Sequence, residues 1–166
     1  MNEEPRRHPR ELPPQIAKRQ AGAFNTKQAL SAGMSRNQVA HRISTGAWQR
    51  VAGSALRHRD DPVTPWMLAF AAHLTWPDAV LCGPNVAALH ELPVPGLNLV
   101  HVIPPVQTNP MHRMVLHQVK LGPEECRTWR GIKMTRCGRG ILDALVMLPE
   151  REAQSLFVWA RTRDKL

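Results

Sequence analysis

Two helix-start signatures ten residues apart, with a glycine between them, constrain this chain most tightly. Asn25-x-x-Gln28 and Ser35-x-x-Gln38 each pair a short polar side chain, able to accept from an early helical N–H, with an amide that can reach back. Met34 precedes the second signature and is placed to staple onto Val39. These spacings predict one helix over Thr26–Ala32, a stop at Gly33, and a second helix capped by Ser35. Two short helices closed by a glycine turn make a helix-turn-helix. Upstream, Pro13-Pro14 suits the first turn of a helix that carries Ile16 and Ala17 inward and stops near Ala21-Gly22. Downstream, Trp48-Gln49-Arg50-Val51 alternates, Ala52-Gly53 turns and Ser54-Ala55-Leu56 returns, as a β-hairpin wing would.

The charge is concentrated in the same region. The chain carries a formal net charge of +9, and residues 1–60 hold +7 of it. No acid lies between Glu11 and Asp60. Such a segment attracts polyanions, so nucleic acid and an anionic membrane are both candidate partners, although no amphipathic surface helix stands out for the second. On the helix after Ser35, a 100° step per residue puts Val39 and Ile43 on one predicted buried face. Asn37, His41 and Ser44 then face away, Gln38 sits on a flank, and Arg36 and Arg42 extend from the edges. Asn and Gln can pair with an adenine edge, and Arg with guanine or phosphate. The expected DNA-binding residues are therefore Ser35, Arg36, Asn37, Gln38, His41 and Arg42, with Arg50 on the wing.

The texture changes at residue 60. Asp61-Pro62-Val63-Thr64-Pro65 reads as a linker, with Thr64 as N-cap and Pro65 at the first position of an apolar helix, Trp66–Leu74. Short strands are expected at 79–81, 97–103, 114–119 and 132–136, a short helix at 84–90, and two closing helices, the last marked by Ala153, Leu156, Phe157 and Ala160. The expected fold class is α+β: a disordered basic tail over 1–11, a winged helix-turn-helix over 12–60, and a mixed α/β protein-partner domain over 61–166.

Several chemistries are set aside. Cys82, Cys126 and Cys137 form no C-x-x-C pair, which argues against a zinc ribbon or disulfide framework and for a reducing cytoplasm. The N-terminus lacks the apolar core of a signal peptide, and no apolar run is long enough for a membrane span. His112, His117 and Cys126 lack metal-ligand spacing, so no metal or other cofactor is expected. His90 and His101 are expected at half-buried, hydrogen-bonded positions, and Cys82 as a small buried residue. Asp143 and Glu124-Glu125 do not make the carboxylate cluster of a nuclease, so the chain is expected not to be an enzyme.

The stretch from Gln20 to Arg36, followed by Ser44-Thr45-Gly46-Ala47-Trp48-Gln49-Arg50-Val51, resembles the N-terminal winged helix-turn-helix of AbiEi-type antitoxins of type IV toxin–antitoxin systems. Val80–Pro93, Leu99–Pro104, Gly131–Arg136 and Ile141–Leu145 resemble blocks of the domain that follows in that group. The resemblance implies a repressor of its own promoter repeats, binding double-stranded DNA, and a nucleotidyltransferase-like toxin as the countered protein; it leaves self-association open. Carried over by position, it adds Thr26 and Lys27, at the start of the first helix of the motif, to the DNA-binding set. The chain departs from the group at the wing, where Ala52-Gly53-Ser54-Ala55-Leu56 replaces a basic R-G-[VI]-Y ending. The competing expectation is the targeting part of a DNA-processing, endonuclease-like protein whose catalytic domain is not in this chain.

Overall fold

The structure, a computed structural model, describes residues 13–94 and 97–165; the tail expected over 1–11 lies outside them. A 3-10 turn, Gln15–Gln20, leads into β1 (Phe24–Asn25), α1 (Thr26–Ser31), α2 (Arg36–Ser44), β2 (Trp48–Arg50) and β3 (Ala55–His58). Then come α3 (Pro65–Thr75), β4 (Val80–Leu81), α4 (Pro84–Leu89), β5 (Val100–Ile103) and β6 (Met114–Leu116). A second 3-10 turn, Pro123–Glu125, precedes β7 (Cys126–Trp129), β8 (Ile132–Thr135), α5 (Cys137–Met147) and α6 (Glu150–Thr162). The fold is mixed α+β with two sheets, ordered β1-β3-β2 and β6-β5-β4-β8-β7. The first is antiparallel throughout, while the second mixes parallel β5–β6 and β4–β8 pairs with antiparallel β4–β5 and β7–β8 pairs.

Strand alternation divides the first sheet between two cores. Phe24, Trp48 and Leu56 point to one face and pack with Ala17, Ala29 and Val39 beneath α1 and α2. There the Phe24 and Trp48 rings meet edge to face, with centroids 4.6 Å apart. Ala23, Val51 and Ala55 join the opposite core, built on α3. The Thr64 hydroxyl accepts from the Met67 N–H at 3.1 Å, and Pro65 opens the helix. Six consecutive residues, Met67 to Ala72, are buried, because the first sheet covers one side of α3 and β5, β8 and α4 cover the other. The apolar core is thus continuous across residue 60. A third core joins α4, α5 and α6 through Ala87, Ile141, Ala144 and Leu156. At its closest point a Cβ on Gly140 would lie 2.5 Å from Val86 Cγ1, so only glycine lets α4 and α5 approach this far.

The β2–β3 turn is built into this core. The Gly53 N–H donates to the His112 carbonyl (2.8 Å), and the Ser54 N–H and Oγ reach Thr75 Oγ1 (3.0 Å) and the Leu74 carbonyl (3.2 Å). Gly53 is buried with φ 52°, and a Cβ at this position would overlap Thr75 and lie 2.7 Å from Met114 Sδ. Ala52-Gly53-Ser54 therefore meets the second sheet.

Most expected elements recur with bounds shifted by a few residues, and among the strands β1 and β7 were not expected. β1 is two residues long and exists only through its pairing with β3. β7 occupies a segment to which no element was assigned, where Cys-Arg-Thr-Trp carries little apolar alternation. The first expected helix is a 3-10 turn that buries Ala17 but leaves Ile16 43% exposed.

Replacing Gly53 by Ala should add overlap with Thr75 to left-handed strain and lower stability by about 2–4 kcal/mol. Gly46→Ala, at φ 72° with open space around it, should cost only about 1–2 kcal/mol. Equal shifts in the urea midpoint for both variants would show that the docked turn contributes nothing.

Candidate nucleic-acid interface

Both capping boxes form. Asn25 Oδ1 accepts from the Gln28 N–H (2.9 Å) and Gln28 Oε1 from the Asn25 N–H (3.2 Å). Ser35 Oγ accepts from the Gln38 N–H (3.2 Å), and Gln38 Oε1 accepts from the Ser35 N–H (2.8 Å). The Ser35 hydroxyl and the Gln38 amide oxygen are thereby engaged within α2, which leaves the Gln38 NH2 as its uncommitted polar group. Gln20 and Gln28 exchange side-chain amide hydrogen bonds at 2.9 and 3.1 Å, tying the first 3-10 turn to α1.

The seam of α2 differs from the expected one. Val39 is buried, but Ile43 is 40% exposed. In its place Arg42 turns inward, with its guanidinium carbon 5.2 Å from the Trp48 ring centroid and Nη1 donating to the Gln38 carbonyl at 3.2 Å. Trp48 fills the space beneath Val39 and Arg42, which rotates the buried side of the helix away from Ile43. Arg42 is half-buried rather than fully extended at an edge.

The outward side carries Asn37, His41 and Ser44, all exposed, with Arg36 at its margin. The Ser44 hydroxyl donates to the His41 carbonyl (2.9 Å). Among the described residues, no hydrogen bond or ion pair engages the side chains of Arg36, Asn37 or His41. Thr26 and Lys27 are exposed at the start of α1. Arg50 is exposed on β2, where its Nη1 holds the Gly53 carbonyl at 3.0 Å. With the hairpin turn buried, the outer surface of this hairpin is its strands. Arg57 donates to the His58, Arg59 and Asp61 carbonyls and to Gln49 Oε1 (2.7 Å), closing the end of β3. Sequence spacing gave no sign of the Arg42–Trp48 stack or of the Gln49–Arg57 pair, which depends on the β2–β3 register. The free face of α2 can offer an amide, an imidazole and a guanidinium to a polyanion with base edges.

Titratable groups farther along the chain are otherwise engaged. Burial, and secondarily Asp143, pushes the Cys82 thiol up to about 12, which removes it as a thiolate at neutral pH. Arg139 lies between Asp143 (2.8 Å) and Glu125, and the Glu125 carboxyl is held low first by the Gly122 N–H. His101 Nδ1 and His117 Nε2 are 3.0 Å apart, and His90 Nε2 accepts from Arg127 at 3.2 Å. Burial, then His117, holds the His101 imidazole down to about 4. His112 is exposed on a separate loop. Among the described residues, no three His, Cys, Asp or Glu side chains gather as a metal set.

Ser35→Ala should lower stability by about 1 kcal/mol, read from the thermal midpoint, because one N–H loses its acceptor and Gln38 loses half its box. The depressed His101 value fixes a second outcome. The neutral ring supports the fold fully above about pH 6.5, and that support is lost as the pH falls toward about 4, because the unfolded chain takes up the proton first. Urea midpoints at pH 5 and pH 7 should differ less in His101→Leu than in the native chain; an unchanged difference would contradict the burial argument.

The sequence matches no protein-family model, and no curated protein matches it at a significant level.

Proposed function

We propose that this chain is a sequence-specific DNA-binding transcriptional regulator, with α1 and α2 as a winged helix-turn-helix and α2 as the reading helix. The carrying observation is the uncommitted outward row of Asn37 and His41, bordered by Arg36, on a segment with no acid between Glu11 and Asp60. Asn37 offers the paired donor and acceptor that an adenine edge matches. Arg36, Lys27 and Arg50 supply phosphate contacts, and Thr26 and Ser35 stand at helix starts where backbone N–H groups meet phosphate. Arg42 acts from its Trp48 stack, which fixes its guanidinium plane. Gln38 reads a base through its NH2, since releasing its oxygen would forfeit a cap contact of about 1 kcal/mol.

Within this reading the chain is the antitoxin and autorepressor of an AbiE-like pair, cytoplasmic and non-catalytic. Residues 61–166 carry the contact to a protein partner, and the chain counters the nucleotidyltransferase-like toxin. The resemblance of residues 20–36 and 44–51, and of the blocks 80–93, 99–104, 131–136 and 141–145, to that group supports this reading. No helix among the described residues is long and apolar enough to cross a membrane.

The test is a titration of the full chain and its variants on the promoter duplex and on a scrambled duplex, at several salt concentrations. Asn37→Ala and His41→Ala should each cost about 1–3 kcal/mol on the promoter and little on the scrambled duplex. Arg36→Ala should weaken both and lower the salt slope by about one ion. Equal losses on both duplexes for Asn37→Ala would reduce α2 to an electrostatic grip, and absence of duplex binding by the native chain would end the reading.

A further inference from the structure

β7 is an outer strand of the five-stranded sheet, and its free side carries chemistry that the DNA reading does not use. The Glu125 carbonyl accepts from the Arg136 N–H at 2.7 Å, which sets the parity of the β7–β8 ladder. The backbone groups of Arg127 and Trp129 therefore turn toward β8, and those of Cys126 and Thr128 turn off the edge. The Cys126 N–H closes onto the Pro123 carbonyl. The Thr128 N–H and carbonyl are left facing outward, and Thr128 itself is exposed.

Beside this edge, guanidinium and aromatic groups interleave. The Arg127 guanidinium lies 4.7 Å over the Trp129 ring, Trp129 meets Trp66 edge to face at 4.7 Å, and Arg130 lies 4.4 Å over Trp66. Neither Arg127 nor Arg130 has a carboxylate partner among the described residues, and Arg127 Nε is buried without any acceptor. The contrast with neighbouring cations is direct: Lys133 holds Asp78 at 2.6 Å, and Arg139 holds two carboxylates. Glu125 is occupied by Arg139 and the Gly122 N–H, and Glu124 lies at the far end of the strand. Stacking on indole fixes each guanidinium plane; His90 holds one terminal nitrogen of Arg127 at 3.2 Å, which leaves its other terminal N–H groups and those of Arg130 for an oxyanion.

We propose that β7 with Arg127 and Arg130 is a docking edge for an extended acidic segment of a protein partner, which adds as a further strand beside Thr128 and sets carboxylates on the two guanidiniums. The outward N–H and carbonyl of Thr128 match a peptide backbone in strand register, and a phosphodiester supplies no such donor. The rings also disfavour stacking of bases: Trp129 already carries Arg127 and His90, and Trp66 carries Arg130 and the edge of Trp129. Trp and Arg clustered in a half-buried patch are the residue types that dominate binding energy between proteins. The inference gives a chemistry to the partner contact assigned above to residues 61–166. It uses no residue of α2, so its failure and that of the DNA reading are separable.

The experiment follows tryptophan emission of the full chain during titration with a capped peptide alternating glutamate and valine. Its lysine–valine counterpart and a duplex oligonucleotide serve as comparisons. A saturable change with the acidic peptide and none with its lysine–valine counterpart is expected, and the duplex, which acts near Trp48 through α2, should not displace the acidic peptide. Arg130→Ala, at an exposed turn position, should weaken it at least about tenfold, roughly 1.4 kcal/mol. Thr128→Pro removes the outward N–H without touching the β8 ladder and should weaken it similarly, with the melting temperature of each variant checked in parallel. Absence of saturable binding by the acidic peptide overturns the proposal, as does unchanged binding in Arg130→Ala. Displacement of the peptide by the duplex, with the duplex itself dependent on Arg130, would make the patch a nucleic-acid site and equally overturn it.

Discussion

The burial of α3 on both sides is the interaction on which the rest of the molecule depends. A helix whose residues from Met67 to Ala72 are all buried has no face to give to water, so something must cover each side. At roughly 1.5–3 kcal/mol for each large apolar side chain buried, Met67, Leu68 and Phe70 make separating the halves costly. The first sheet meets that demand on one side and the second sheet with α4 on the other. One consequence is mechanical. The β2–β3 turn is held by Thr75 of α3 and by the His112 carbonyl before β6, so the hairpin that flanks α2 moves only with the second sheet. A partner bound to residues 61–166 is thereby connected through packed elements to the segment proposed to meet DNA.

Local signals were the legible ones. The two capping boxes, the Gly33 turn and the Thr64-Pro65 start each depend on side chains within a few residues of one another, and each forms. The edge of the charged region at residue 60 was legible as a change in texture, but charge does not report where a core ends, and this core continues from Ala55 into α3. Long-range effects were not legible. Ile43 fits the helical period of a buried face as well as Val39 does; only the arrival of Trp48 from the next strand decides that the stem of Arg42 is covered instead. β7 has no apolar alternation to announce it, because its face is made by Arg127 stacked on Trp129, which in turn meets the Trp66 ring from a distant part of the chain.

The candidate site was legible as residue types, and the geometry sorts them by commitment. Ser35, Gln38 and Arg50 lie on the elements where the sequence puts them, and Arg42 turns inward from its expected edge; each has a contact within the protein that fixes its orientation and limits what it can offer a ligand. Arg36, Asn37 and His41 are the uncommitted ones, and their exposure leaves the core intact because Val39 and the covered stem of Arg42 anchor α2 from the other side. In the second half the pattern is reversed: carboxylates are spent on Arg139 and Lys133, and the Arg127–Arg130 edge is left without any.

The central claim is that α2 reads sequence rather than only charge. Selection of duplexes from a randomised pool by the full chain at physiological salt tests it most directly. The account predicts enrichment of a recurring motif containing an adenine whose preference disappears when the selection is repeated with Asn37→Ala. A pool that binds without enrichment, or a motif unchanged by that substitution, would contradict it.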